Sequence, residues 1–167
     1  AEGELIVEAS PDQMFSGYLN RPDVTDEVIT DGWYHTGDVC LVRPDGDYDL
    51  IGRTGDMIRS GGENIHPSEI EPHLMAHPAV KETAVIGIKD ANWGEMVVAC
   101  MVIDGTPDWA ALDTHMKTTT LASFKRPKAY LFVDILPRNA ANKVLRRELI
   151  KVTGEARENG DSNFIEV

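Results

Sequence analysis

Cysteine is scarce in this sequence. There are two in 167 residues, Cys40 and Cys100, and both lie in apolar stretches. Such a pair makes no disulfide framework and reads as buried thiols of a reducing compartment, the cytoplasm. No grouping of cysteine and histidine has zinc-site spacing, so no metal ligand is assigned. Long apolar runs are also lacking, and none approaches the roughly 18 residues of a membrane span. The opening residues, AEGELIVEAS, have neither the basic start nor the apolar core of a secretory signal. Basic charge is in the minority, with 16 Lys and Arg against 28 Asp and Glu and a net charge of -12. That balance argues against a plain nucleic-acid binder, which needs cationic contacts to phosphate.

The mean charge conceals three segments. Residues 1–122 hold 7 basic and 22 acidic side chains, a net of -15. Residues 123–151 hold 8 basic and 2 acidic, a net of +6, and the stretch from 152 onward has a net of -3. A local positive field on an acidic protein draws in small anionic ligands. Two of its basic clusters, SFKRPK and PRNAANK, flank loop signals, where binding residues concentrate.

The periodicity predicts a strand over 4–9 and a short helix over 21–29, with Pro22 near its start. A hairpin follows, VCLVRP and DYDLIG around Asp45-Gly46. Residues 52–67 are rich in glycine and polar side chains and read as a linker with little strand. Ser68 and Glu71 suggest a capping box opening a helix. Apolar, β-branched runs at 83–88 and 95–103 read as buried strands, and 128–136 as a third. Helices are expected over 108–120, after Pro107, and over 142–152, the latter with Val144, Leu145, Leu149 and Ile150 on its apolar side. The polar stretch 153–167 is expected to fray. The fold class is α+β, a short sheet flanked by helices, preceded by a β-rich unit. The expected divisions are 1–54, 55–152 and 153–167. The first is too small to close a barrel or sandwich alone and is expected to be the end of a larger domain.

Four segments stand in order: GWYHTGD (32–38), GRTGDMIRSGGENIHPSEIE (52–71), ANWGE (91–95) with SFKRPK (123–128), and PRNAANKVLRREL (137–149). Together they resemble the superfamily of AMP-forming acyl-CoA synthetases, luciferases and peptide-synthetase adenylation domains. The local wording is similar to aryl-CoA ligases of the 4-chlorobenzoate type. The resemblance covers nearly all of the chain to about residue 151. It implies two half-reactions. A carboxylate and ATP give an acyl-adenylate and pyrophosphate, and CoA then takes the acyl group and releases AMP. The C-terminal domain rotates between the two steps. The chain would be that domain with the last part of the larger N-terminal domain, which would be its partner. It is expected to be inactive by itself, since the family's phosphate loop and acid pocket are not in this sequence. ATP, AMP and CoA are implied as ligands, with Mg2+ accompanying ATP and no ligands for it recognised here. The acid is expected to be small and aromatic.

The resemblance implies roles residue by residue. Asp38 would accept hydrogen bonds from the ribose hydroxyls, as an acceptor-only group suits a diol. On spacing alone it reads as a turn residue of the hairpin. Arg53 would be a second ribose or phosphate contact. The family hinge, usually Asp or Lys, falls on Gly55, followed by Asp56, and either can serve. Gly61, Gly62 and Glu63 would line the pantetheine tunnel, where a backbone without side chains approaches a thin ligand closely. Trp93, Phe124, Arg126 and Lys128 match positions that bind the CoA nucleotide, where aromatic faces stack on adenine and cations meet phosphate. Lys143 would be the catalytic lysine of adenylation, although the family often has Ser/Thr-Gly before it and this chain has Ala-Asn. A peptide-synthetase adenylation domain, or a free-standing CoA- or nucleotide-binding module, are the alternatives. The aromatic and basic CoA set argues against the first of these.

Overall fold

The computed structural model describes residues 1–10, 16–106 and 108–167. Pro107, expected just before a helix, lies outside them. The chain divides into two compact units, Ala1–Gly55 and Asp56–Val167.

The first unit is a small antiparallel sheet. Strand β1 (Glu2–Glu8) pairs along β3 (Trp33–Val42). The two-residue β2 (Ile29–Thr30) pairs with the start of β3, and β4 (Tyr48–Arg53) with its end. Helix α1 (Pro22–Val28) begins with proline, whose missing N–H would be unpaired there anyway. The expected hairpin is present, closed by the Arg43 N–H on the Asp47 carbonyl at 2.8 Å and the Gly46 N–H on the Arg43 carbonyl at 3.1 Å. Among the described residues, Val39 and Cys40 are this unit's buried apolar side chains. Leu5, Ile6, Val7, Leu41, Val42, Tyr48 and Leu50 are exposed.

The second unit is a mixed sheet between helices. Strands β7 (Val80–Asp90) and β8 (Gly94–Ile103) form a long antiparallel hairpin. Strand β9 (Ala129–Phe132) runs parallel to β8, and β10 (Phe164–Glu166) pairs antiparallel with β9. Side chains alternate across the sheet with period two. Val85, Val97, Ala99, Met101 and Tyr130 face one core, which holds α2 (Pro67–Met75) through Ile70 and Leu74 and α3 (Trp109–Thr118) through Leu112 and Met116. Ala84, Ile86, Val98, Cys100 and Leu131 face the other, which holds α4 (Arg146–Asn159) through Leu149 and Ala156. Every residue from Met96 to Met101 is buried, so β8 is covered on both faces. That explains a continuous apolar run where a one-sided strand would alternate. Burying each valine or methionine side chain of this run contributes about 1.5–3 kcal/mol.

Several elements differ from expectation. The stretch 52–67 is more than a linker, since β5 (Ile58–Ser60) and β6 (Glu63–Ile65) form a tight hairpin there. Helix α2 is capped by His66 and not by Ser68. Its first residue is Pro67, and the His66 N–H donates to the Glu69 carboxylate at 3.2 Å. Strand β9 is shorter than 128–136. Val144 and Leu145 precede α4, and Ile150 is exposed. The largest difference lies in 153–167, expected to be a fraying tail. Helix α4 continues to Asn159, ends at Gly160, and the chain returns as β10. Leu149, Thr153 and Ala156 recur at helical spacing and are all buried. Thr153 is polar but faces the Cys100 sulfur at 3.5 Å, deep in the second core. Burial pushes that thiol up to about 11, which keeps it protonated.

Candidate functional site

In the first unit, Asp38 on β3 and Arg53 at the end of β4 are direct cross-strand partners. Arg53 Nε donates to Asp38 Oδ1 at 2.8 Å. The fourteen residues between them form the hairpin, so its register alone joins the two sequence-predicted residues. The segment leading to Asp38 is fixed by groups that sequence reasoning did not single out. Glu4 of β1 accepts from the Gly37 N–H at 2.9 Å and pairs with His35 Nδ1 at 2.9 Å. The His35 contact is the main reason the Glu4 carboxyl lies below its ordinary range. Thr36 Oγ1 donates to the Leu5 carbonyl at 2.7 Å and accepts from the Asp38 N–H at 3.0 Å.

In the second unit the Gly61-Gly62 pair forms the two-residue tip of the β5–β6 hairpin. Both have positive φ, +61° and +86°, as a type I′ turn requires. A side-chain carbon at Gly61 would meet the Trp93 ring at 3.4 Å, whereas one at Gly62 would meet nothing within 4 Å. The tip is thus a bare backbone edge beside an indole face. Glu63 follows, exposed at the start of β6. Trp93 occupies the β7–β8 turn, and its carbonyl accepts from the Gly61 N–H at 2.8 Å. Lys128 Nζ lies 5.1 Å from the Trp93 ring centroid. Burial first, and the charge of Arg126 second, lower the Lys128 ammonium from its ordinary value.

Gly61, Trp93 and Lys128 therefore form one cluster. Arg126 joins it through its carbonyl, 3.4 Å from Lys128 Nζ, and its own guanidinium reaches the Leu121 carbonyl at 3.4 Å. Phe124 is half exposed on the short 3-10 turn Ser123–Lys125. Lys125, which the motif reading left out, ion-pairs with Glu69 of α2. It thereby ties the SFKRPK turn to the helix that follows the glycine hairpin. No charge pattern in the sequence marks a partner 56 positions away.

Lys143 lies in a small hairpin after β9. The Asn139 carboxamide oxygen accepts from the N–H groups of Ala141 at 3.0 Å and Lys143 at 2.9 Å. The Asn139 N–H returns to the Lys143 carbonyl at 2.9 Å. Asn142 has φ +61°, a left-handed conformation that asparagine tolerates better than most residues. The Lys143 side chain is exposed and makes no ion pair among the described residues. Gly55 has open space around its α-carbon. Asp56 Oδ2 lies 3.4 Å from Arg146 Nη1, and Arg146 Nη2 bonds Glu71 Oε1 at 2.7 Å. Glu71, expected in a capping box, instead takes Arg146 and the Val85 N–H.

Residues 69–143 match the family of AMP-binding enzyme C-terminal domains. A 4-chlorobenzoate–CoA ligase of Arthrobacter sp is 48% identical over 153 residues, covering 92% of this chain and 29% of its own length. A 2-succinylbenzoate–CoA ligase of Bacillus cereus (strain ATCC 10987 / NRS 248) is 42% identical over 154 residues, 92% of this chain and 31% of its own. The solved o-succinylbenzoate CoA synthetase from Bacillus subtilis, in complex with its acyl-adenylate intermediate, superposes with a TM-score of 0.80 at 36% identity. That match covers 89% of this chain and 30% of the synthetase. ATP-bound MatB from Rhodopseudomonas palustris gives 0.79 at 36% identity, over 91% and 30%. The fold and the ordered motifs define a small α+β domain of the adenylate-forming kind. The chain belongs to the superfamily of AMP-forming acyl-CoA synthetases and related adenylate-forming enzymes. It spans 29% to 31% of the length of these curated relatives.

Proposed function

We propose that the protein containing this chain is an AMP-forming acyl- or aryl-CoA ligase. It would join a carboxylate to ATP, release pyrophosphate, and pass the acyl group from the adenylate to the CoA thiol with loss of AMP. The observation that carries the reading is the Gly61–Trp93–Lys128 cluster, a side-chain-free edge beside an aromatic face and a cation. A pantetheine arm needs the first, an adenine the second and a phosphate the third. In this reading Glu63, Phe124 and Arg126 extend the CoA surface, and Asp38 with Arg53 holds the ribose of ATP or the adenylate. Lys143 supplies positive charge where negative charge builds on the α-phosphate and the departing pyrophosphate. Its exposed side chain, on a small hairpin braced by Asn139, suits a group that must reach into a site.

Gly55 would be the pivot for movement between the half-reactions. Asp56 is supported as the first residue of the moving body by its approach to Arg146. Mg2+ would accompany ATP and screen its phosphates. Among the described residues no group of three or more His, Cys, Asp or Glu is arranged for a metal ion, and none is assigned to it. The phosphate loop and acid pocket would be contributed by the larger N-terminal domain. A small aromatic acid is proposed because the relatives at 48% and 42% identity are named for 4-chlorobenzoate and 2-succinylbenzoate, and 4-chlorobenzoate is taken as the first acid to test. No helix among the described residues is long and apolar enough to cross a membrane. The two free cysteines support a cytoplasmic setting.

The test is Lys143→Ala in the full-length enzyme, with the half-reactions assayed separately on 4-chlorobenzoate and 2-succinylbenzoate. Adenylation, followed as pyrophosphate exchange, should fall by roughly 10²-fold or more. Thioester formation from supplied acyl-adenylate should change little. Equal losses in both half-reactions would remove the assigned role. Faster turnover of 2-succinylbenzoate would remove the acid assignment.

A further inference from the structure

Trp93 is the centre of the proposed CoA surface, and its own placement depends on a remote group. One carboxylate oxygen of Asp90 accepts from the N–H groups of Asn92 at 2.8 Å and Trp93 at 3.1 Å, winding the β7–β8 turn around itself. The other accepts from Arg157 Nη2 at 2.8 Å. Asp90's side chain is only 5% exposed, so the turn and the guanidinium share an almost enclosed carboxylate. The arginine is held in turn. Its Nε donates to Glu166 Oε1 of β10 at 2.7 Å, and Nη1 reaches the Lys89 carbonyl at 3.4 Å. Arg157 lies in the last turn of α4, within the stretch whose polarity predicts a fraying tail.

We propose that Arg157 is a positioning residue for CoA, fixing the Asp90 turn and through it the indole of Trp93 against Gly61 and Lys128. This rests on reading Trp93 as a CoA contact. The chain of contacts is continuous. Arg157 orients Asp90, Asp90 orients the Asn92 and Trp93 amides, the Trp93 carbonyl bonds the Gly61 N–H, and the Trp93 ring carries Lys128. The Asp90 carboxyl is held below its ordinary value, with the Arg157 hydrogen bond as the largest cause. It therefore stays ionised and paired through the neutral range. Without the guanidinium, an enclosed carboxylate would keep its two backbone donors and lose its charge partner. The turn would then open to let water in.

The experiment compares Arg157→Ala, Arg157→Lys, Asp90→Asn and Trp93→Ala in the full-length enzyme. It uses CoA titration calorimetry, hydrogen exchange of peptides spanning 90–94, and the kcat and KM of each half-reaction. Arg157→Ala should raise the CoA Kd about 5- to 20-fold and speed exchange at Asn92 and Trp93, leaving adenylation kcat unchanged. Arg157→Lys should recover part of the affinity. Asp90→Asn keeps an acceptor for the turn and removes the ion pair, so it should act in the same direction, and it covers the case of an arginine variant that fails to fold. Unchanged exchange in the turn, or faster exchange with unchanged CoA affinity while Trp93→Ala weakens CoA, overturns the proposal and leaves the CoA reading standing. If Trp93→Ala binds CoA normally, the CoA reading of this cluster fails, and the positioning role falls with it.

Discussion

Asn142 stands where the family often places a glycine before its lysine, and its backbone is left-handed at φ +61°. Glycine adopts that conformation freely and asparagine tolerates it. Asn142→Gly should leave adenylation and stability close to their starting values. Asn142→Val should cost about 1–2 kcal/mol and slow adenylation, because a β-branched side chain resists this conformation. Urea denaturation and pyrophosphate exchange read the two effects, and equal behaviour of both variants would contradict it. At this scale the sequence is legible where a motif supplies the context. Asp38 and Arg53 were both named from the sequence and prove to be cross-strand partners. Glu4, Asn139 and Arg157 were not named. Glu4 acts across paired strands and Arg157 across 67 positions, contacts that exist only in the folded chain, while Asn139 acts through a local turn that its residue type alone does not announce.

Among the elements, the long strands were readable because β7 and β8 carry apolar, β-branched runs at 83–88 and 95–103. The β5–β6 hairpin was not, since three-residue strands cannot display alternation. The end of α4 was missed for a different reason. Its buried stripe includes a threonine and an alanine, so mean polarity hid the spacing of Leu149, Thr153 and Ala156. The remaining part, β10, pairs with β9 through Phe164, Ile165 and Glu166. A chain ending at Val152 should therefore lose well over 3 kcal/mol, since it forfeits the Thr153 and Ala156 packing, the Phe164 contact with the second core and an entire edge strand. Guanidinium unfolding measures this. A midpoint unchanged from the parent would restore the frayed-tail view.

At the level of the molecule, charge is unevenly placed. The +6 segment contains Arg126, Lys128 and Lys143 inside a chain of net charge -12. If that local field draws CoA in, its Kd should rise several-fold between roughly 50 and 500 mM salt, as screening shortens from over 10 Å to a few ångströms. A flat salt response by calorimetry would mean that aromatic and backbone contacts hold CoA without help from charge. The two units also differ in how much they bury. Among the described residues, every buried residue of both hydrophobic cores lies between Ile58 and Ala156, on the same side of Gly55. A recombination event that joins two genes at Gly55 would cut neither core. The interior of the second unit would therefore pass whole through any such exchange.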